Sequence, residues 1–304
     1  MNRTLVATLG ALVVLLAVGT LFPQWALFLA IVALAKALVV LGLMLFMRCG
    51  LDSFGQGLFY CIGAYCSQLF GVNDIALSLL MGASAAAFTA FVLGFLMSRY
   101  RDIFFAMLSL AFSMILYGVL VKSQALGSTD GFHLKPPTLF GHRITGESRY
   151  GLYALTCVVA AIAALLVDRY LRTPLGRLGP ALKDNEIRVE YMGASARRVI
   201  HVNYVIAAAL AGVGGCIVGV SVGHIDPEFS YWTQSGEFVF VAILAGTGNV
   251  LAPFVGSILF ESIRSVATQV SPNTWQMTLG IALLLLIMFL PSGLWSLFTR
   301  RKGS

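Results

Sequence analysis

Long apolar runs separated by short polar breaks dominate the chain. They cover about 4–22, 26–47, 57–72, 75–98, 103–121, 151–171, 199–222, 236–268 and 275–297. A helix rises about 1.5 Å per residue and needs roughly 20 apolar residues to cross about 30 Å of hydrocarbon. The pattern therefore predicts an all-α bundle of membrane-spanning helices. The 236–268 run is too long for one crossing. Gly246-Thr247-Gly248-Asn249 and then Pro253 interrupt it with residues that break helices.

Charge position decides how to count that run. The 168–201 segment gathers seven basic and four acidic residues, and the chain ends Arg300-Arg301-Lys302 before Gly303-Ser304. Both stretches read as cytoplasmic, because Lys and Arg collect in cytoplasmic loops. An even number of crossings must then separate them, which splits the long run at about 246–249 and predicts ten crossings with both ends inside. This topology places Arg48, Arg99, Arg101, Arg172, Arg177, Lys183, Arg188, Arg197 and Arg198 inside, and only Lys122, Lys135, Arg143 and Arg149 outside. The first run is long enough for a spanning helix and lacks a small-residue cleavage site after it, so a helix is expected there and not a signal peptide. Neither hydrophilic loop, 122–150 outside or 172–198 inside, is long enough for a folded soluble domain. One membrane domain over 1–304 is the expectation.

Composition agrees. Only 11% of the 304 residues are charged and 59% are hydrophobic, with a mean hydropathy of +0.88, where soluble domains carry about 25% charge. A soluble enzyme, a disordered chain and a nucleic-acid binder are excluded. The five cysteines lie in apolar stretches without CxxC spacing and read as small buried hydrophobes. The histidines show no zinc spacing, and there is no GxxxxGK[ST] phosphate loop. No metal or cofactor is called for, and no catalytic constellation appears.

Three features could carry function. Lys36 sits mid-span, where an ammonium must face a cavity or an acid such as Asp52 or Glu237. Arg264, nearer a span end, is expected to snorkel, and Asp226, Glu228 and Glu237 are read as a docking or solvated outer group. The second feature is Gly50 to Tyr65, four glycines near a boundary, where Ser53, Gln56, Tyr60 and Tyr65 can meet a polar solute if the chain unwinds. The third is the stretch from Thr173 to Gly193. Pro180 suits a helix start and Gly193 a helix end, which predicts a three-turn helix between them. Ala181, Leu182, Asn185, Val189 and Met192 fall on one stripe; Lys183, Asp184, Glu186, Arg188 and Glu190 project elsewhere. Glu186 and Glu190 share a face by their i, i+4 spacing.

Several segments, read in order, resemble the LivM-type permease subunits of branched-chain amino acid ABC importers. Residues 50–65 are similar to that family's Gly-x-x-Ser-x-Gly-His-x-x-Phe-x-x-Gly-Ala-Tyr pattern, with Gln56 in place of the His. Phe104 to Ala111 resembles its Tyr-Phe-Ala-x-x-Thr-Leu-Ala helix, and Gly127-Ser128-Thr129-Asp130-Gly131 its outer loop. Thr173 to Gly193 resembles its cytoplasmic coupling stretch, Val241 to Gly248 with Pro253 and Gly256 its Gly-rich hairpin, and Leu290 to Leu294 its terminal motif. The resemblance implies a multi-pass protein of the bacterial inner membrane, embedded in lipid. It would pair with a second paralogous permease, two cytoplasmic ATPases and a periplasmic solute-binding protein, with no nucleic-acid partner. ATP hydrolysis would fall to the ATPases. Lys36, Ser53, Gln56, Tyr60, Tyr65, Thr129 and Asp130 are then expected along the solute path. Lys183, Asp184, Asn185, Glu186, Arg188, Glu190, Met192 and Gly193 are expected at the ATPase. Relatives in this family also carry urea, short amides and other carboxylates. An ion-driven secondary transporter, with Lys36 and Asp52 as coupling residues, is the alternative from another class.

Overall fold

The computed structural model describes residues 3–69, 74–134, 137–139, 142–143 and 149–270, together with 274, 276–277, 280–281, 284–285, 288 and 293–295. Most of the 275–297 run, and Lys135 with the C-terminal basic cluster, lie outside the described residues. The chain is mostly helical: α1 (Arg3–Gly19), α2 (Gln24–Arg48), α3 (Gln56–Leu69), α4 (Ile75–Met97), α5 (Asp102–Lys122), α6 (Tyr150–Leu171), α7 (Pro174–Asp184), α8 (Glu186–Tyr191), α9 (Ala196–Val222), α10 (Trp232–Ala245) and α11 (Ala252–Val270). Among the described residues, five helices (α2, α4, α5, α6 and α9) are long and apolar enough to cross a membrane.

α2 is apolar on every side, and a helix of that kind must be enclosed. It is buried without interruption from Ile31 to Phe46, with Lys36 the one charge in that run. α4 and α5 instead turn Leu80, Phe88, Phe91, Phe95, Phe104, Met107 and Ile115 outward. So much exposed apolar surface suits lipid or another helix, not water. α3, α4 and α9 meet where Gly63, Gly82 and Gly212 touch backbone to backbone; a Cβ on Gly63 would collide with the Gly212 carbonyl. Close packing of this kind holds helices together in lipid, where apolar burial gives no advantage.

The helices run between two ends. At the lower end, Arg48 donates to the Thr247 carbonyl at 3.1 and 2.9 Å. Gly50 lies against Lys183, and Gly179 against Cys49. Arg101 reaches Glu186, and the Leu294 N–H donates to the Leu244 carbonyl at 2.8 Å. At the upper end, the Arg149 N–H donates to Gln24 at 3.1 Å, and Phe132-His133 pairs antiparallel with Ile225-His224. That pairing, and a second two-residue pair joining Thr138-Leu139 to His142-Arg143, were not foreseen. Two-residue strands leave no periodicity to read.

The long run divides as the charges predicted. α10 ends at Ala245, Gly246 adopts φ +81°, and α11 begins at Ala252. The left-handed region is open to glycine without a steric cost. The first glycine-rich break is also real, with residues 49–55 lying outside any helix. The expected helix from Pro180 to Gly193 is corrected. Thr173 accepts from the Gly176 N–H at 3.2 Å and starts α7 at Pro174, leaving Pro180 inside it. Asn185 then leaves the helical conformation and caps α8 by accepting from the Arg188 N–H at 3.0 Å. Asn and Thr side chains compete with the backbone for such bonds, so each starts a new helix. Gly193, at φ +83°, ends the segment as expected. All five cysteines are buried and unlinked.

Candidate functional site

Lys36 lies on the fourth turn of α2, with its ammonium held by two carboxylates. Its Nζ is 2.7 Å from Glu261 Oε1 and 3.3 Å from Glu237 Oε2. Arg264 Nη1 approaches the same two groups, at 3.0 Å from Glu237 Oε2 and 3.8 Å from Glu261 Oε1. Gln234 adds a donor to Glu237 Oε2 at 3.4 Å. Two cations and two carboxylates thus form a neutral square joining α2, α10 and α11. The expectation of a snorkelling Arg264 is overturned, because its guanidinium turns to Glu237. Glu237, one of the two acids offered for Lys36, does hold it and belongs to the square, not to the solvated outer group in which it was also placed. Asp52 is exposed and is not among the acids that hold Lys36.

The square floors a cavity of about 480 Å³. Its walls come from the first turns of α2 (Trp25, Phe28, Leu29, Val32), the last turns of α9 (Val218, Val222) and of α11 (Arg264, Thr268, Gln269), with Tyr60 and Phe229. All three helices reach the upper end there, so the cavity lies in the upper part of the bundle. Lys36 lies roughly 16 Å below Trp25 along α2, by the helical rise. A second hollow of about 370 Å³ shares Trp25, Phe28 and Val222 and reaches Arg149, whose guanidinium sits 4.9 Å over the Phe28 ring.

Of the residues expected along a solute path, Lys36 and Tyr60 come together in this cavity. Tyr60 stacks on Phe229 with centroids 5.2 Å apart. Ser53 and Gln56 are buried instead at the start of α3. There the helix begins inside the bundle, and its first N–H groups need outside acceptors. Ser109 on α5 accepts from the Phe54 N–H at 3.0 Å, and Ser235 on α10 accepts from the Gly57 N–H at 3.0 Å. The Gln56 amide, at 1% exposure, has no hydrogen-bond partner on either polar atom among the described residues. Tyr65 packs edge-on to Phe132 near the upper end. Thr129 and Asp130 are exposed on the upper loop and contact each other at 3.4 Å. They are not part of the cavity.

The lower end carries the other group of expected residues. Leu182 and Val189 anchor α7 and α8 in the core. Lys183, Asp184, Asn185, Arg188 and Glu190 are exposed. Met192, placed by spacing on one stripe with Leu182 and Val189, is exposed with Ile187 and Tyr191, the last at 89%. The break at Asn185 rotates α8 relative to α7, so a single-helix stripe does not hold across it. Glu186 is turned inward, bound by Arg101 through Nε at 2.8 Å and Nη2 at 2.7 Å. That two-pronged hydrogen bond is the main reason its carboxyl ionises below the usual range.

The sequence departs from random similarity over most of its length. A family model for the branched-chain amino acid transport system permease component matches residues 25–290. The chain belongs to this permease family. It is 29% identical over 294 residues to the high-affinity branched-chain amino acid transport system permease protein LivM of Escherichia coli K12, covering 87% of this chain and 69% of that one. It is 25% identical over 282 residues to LivH of Salmonella typhimurium, covering 85% and 90%. BraD of Pseudomonas aeruginosa is 24% identical over 281 residues, again covering 85% and 90%. No solved structure matches it. Family membership and the apolar helices together make this permease a multi-pass membrane protein.

The sequence pointed to Lys36 and Tyr60 but missed Glu261 and the role of Arg264. Their i, i+3 spacing on an otherwise apolar helix was the available signal. Gln234, Trp25 and Phe28 gave none.

Proposed function

We propose that this permease is one of two paralogous membrane subunits of an ATP-driven importer in a bacterial inner membrane, forming half of the path for a branched-chain amino acid or a related small polar solute. Likeness to both LivM and LivH supports a paired arrangement. Ten crossings by one domain over 1–304 fit the alternation of the helices between two ends, with α10 and α11 as separate passes and the 275–297 run as the last. The lower end is the cytoplasmic face. Arg48, Arg99, Arg101, Arg172, Arg177, Lys183, Arg188, Arg197 and Arg198 gather there, as the positive-inside rule demands.

The observation that carries this reading is the lower platform. α8 presents Ile187, Tyr191 and Met192 to the outside of the molecule, ringed by Lys183, Asp184, Arg188 and Glu190. An apolar patch with a charged rim is the composition of a docking surface. A cytoplasmic ATPase gripping α7–α8 would move them as a rigid body, and Arg101–Glu186 would pass that motion to the α4–α5 junction. On the other face, a periplasmic binding protein would deliver solute to the upper cavity, past Thr129 and Asp130. Lys36, Tyr60 and, deeper, Ser53, Gln56 and Tyr65 would line its route. The Gln56 amide would find its missing partners there or in the second permease.

The test is Glu190→Arg in the assembled transporter. The variant is expected to insert normally but lose solute-stimulated ATP turnover; unchanged turnover would overturn the docking assignment. Uptake is expected to stop on ATP depletion and to survive a protonophore. The reverse pattern would establish the ion-driven alternative.

A further inference from the structure

The two short strands at the upper end set a pair of histidines against each other. His133 stands directly opposite His224 across the antiparallel ladder. The Leu134 N–H donates to the Gly223 carbonyl at 2.9 Å, so those two residues take a hydrogen-bonded position. Their neighbours His133 and His224 then take a non-hydrogen-bonded one, where side chains on the same face approach most closely. The imidazole centroids are 4.7 Å apart, with the ring planes tilted by 47°.

Ring packing alone does not account for the pair. Nδ1 of His224 is shut from solvent and has no hydrogen-bond partner among the described residues. A buried polar atom in that state calls for a water or an ion. Neutral imidazole keeps one nitrogen as a bare lone pair, the form in which it ligates metals. With the metal about 2.0 Å from a ligating nitrogen, its ring centre lies about 3.2 Å from the ion. Two rings 4.7 Å apart and directed at one ion therefore subtend about 95° at it. That is close to the right angle between neighbouring ligands of a tetragonal Cu²⁺ site, and well short of the tetrahedral angle usual for Zn²⁺. Among the described residues no third His, Cys, Asp or Glu joins the pair in a metal-holding cluster, so water fills the remaining positions.

We propose that His133 and His224 form a two-histidine site for Cu²⁺ on the upper loops. The ion takes one nitrogen from each ring. The angle selects a tetragonal ion, and Cu²⁺ leads the order of affinity among divalent metals for nitrogen sites. The two ligands sit on separate segments, the loop after α5 and the turn that follows α9 at Gly223, so a bound ion pins one to the other. Val218 and Val222, on the last turns of α9, wall the upper cavity, and the ion stiffens that rim. The site lies outside the residues assigned to the solute and does not depend on the permease reading.

The experiment titrates Cu²⁺ into the full-length chain in detergent, free of any affinity tag, and follows electron paramagnetic resonance together with the thermal-unfolding midpoint. One Cu²⁺ per chain is expected, its spectrum split by two imidazole nitrogens. The midpoint should rise saturably, since an ion that binds only the native state stabilises it. His133→Phe keeps a ring against His224, so its metal-free midpoint is expected to match the wild type. Its half-saturating Cu²⁺ concentration should rise about a hundredfold, because the second ring of a linked pair binds at high effective concentration. His224→Phe should show the same loss, and His142→Phe and His201→Phe should show none. The nitrogen count in the wild type requires no variant and tests the pair even where a variant fails to fold. Wild-type affinity in His133→Phe, a spectrum with fewer than two nitrogens, or an equal loss in His142→Phe would overturn the site and mark the copper as an adventitious ion only. Zn²⁺ bound as tightly as Cu²⁺ would overturn the choice of ion.

Discussion

Two ion-pair sites in this permease use nearly the same chemistry in opposite surroundings. The square of Lys36, Glu237, Glu261 and Arg264 is set deep in the bundle, with Lys36 and Glu261 almost sealed. The Arg101–Glu186 fork lies at the lower end with both side chains partly exposed, at 24% and 35%. In water, an exposed pair contributes little, because each partner is well solvated when alone. Inside the bundle no solvent substitutes for a lost partner, so each group of the square depends on the others. The difference teaches that the four groups of the square hold one another in place, whereas the fork ties α8 to the start of α5 by a pair that costs little to lose.

The largest test of that contrast is Lys36→Met. It leaves two carboxylates sharing one guanidinium, and a loss of about 3–5 kcal/mol is expected, seen as a lower unfolding midpoint in detergent and a lower yield of inserted protein. A neutral outcome would mean that the square is hydrated and that the two sites do not differ. Ser235→Ala is expected to fall between the two sites. It removes the hydroxyl that accepts from the buried Gly57 N–H, at about 1–3 kcal/mol, and the same midpoint measures it. Glu186→Gln should cost under about 1 kcal/mol of stability, seen as a small drop in the same midpoint, while reducing the coupling of solute to ATP turnover.

The smallest effect is the pH dependence of the fork. Its arginine holds the Glu186 carboxyl below its ordinary value near 4.5. The pair's stabilisation is therefore fully present above that value and disappears as pH falls through the lower native one. The midpoint difference between wild type and Glu186→Gln should be constant at neutral pH and vanish in acid. A difference that persists in acid would show that Glu186 acts through packing.

Much of the architecture was legible because it is local. A continuous apolar run announces a helix of a given length, and Gly246 announces where one must stop. The misplacement of the lower helix start was also local, since Thr173-Pro174 is a stronger start signal than Pro180. The candidate site was legible at Lys36, a charge in an apolar span, with Glu237 among the acids offered for it and Tyr60 expected along the path. Thr129 and Asp130 kept their loop position but fell outside the cavity, because nothing in a loop's own residues says where its neighbours will stand.

The chain's own chemistry decided that this is a greasy, many-helix body with its positive charge gathered at one end, since hydropathy and charge act residue by residue. Only the packed structure decided that Glu261, 225 positions along the chain, would be the partner of Lys36, and that Ser235 would meet a backbone N–H 178 positions away. Pairings at such separations depend on which helices lie side by side, and the close approach of small residues on α3, α4 and α9 sets that arrangement.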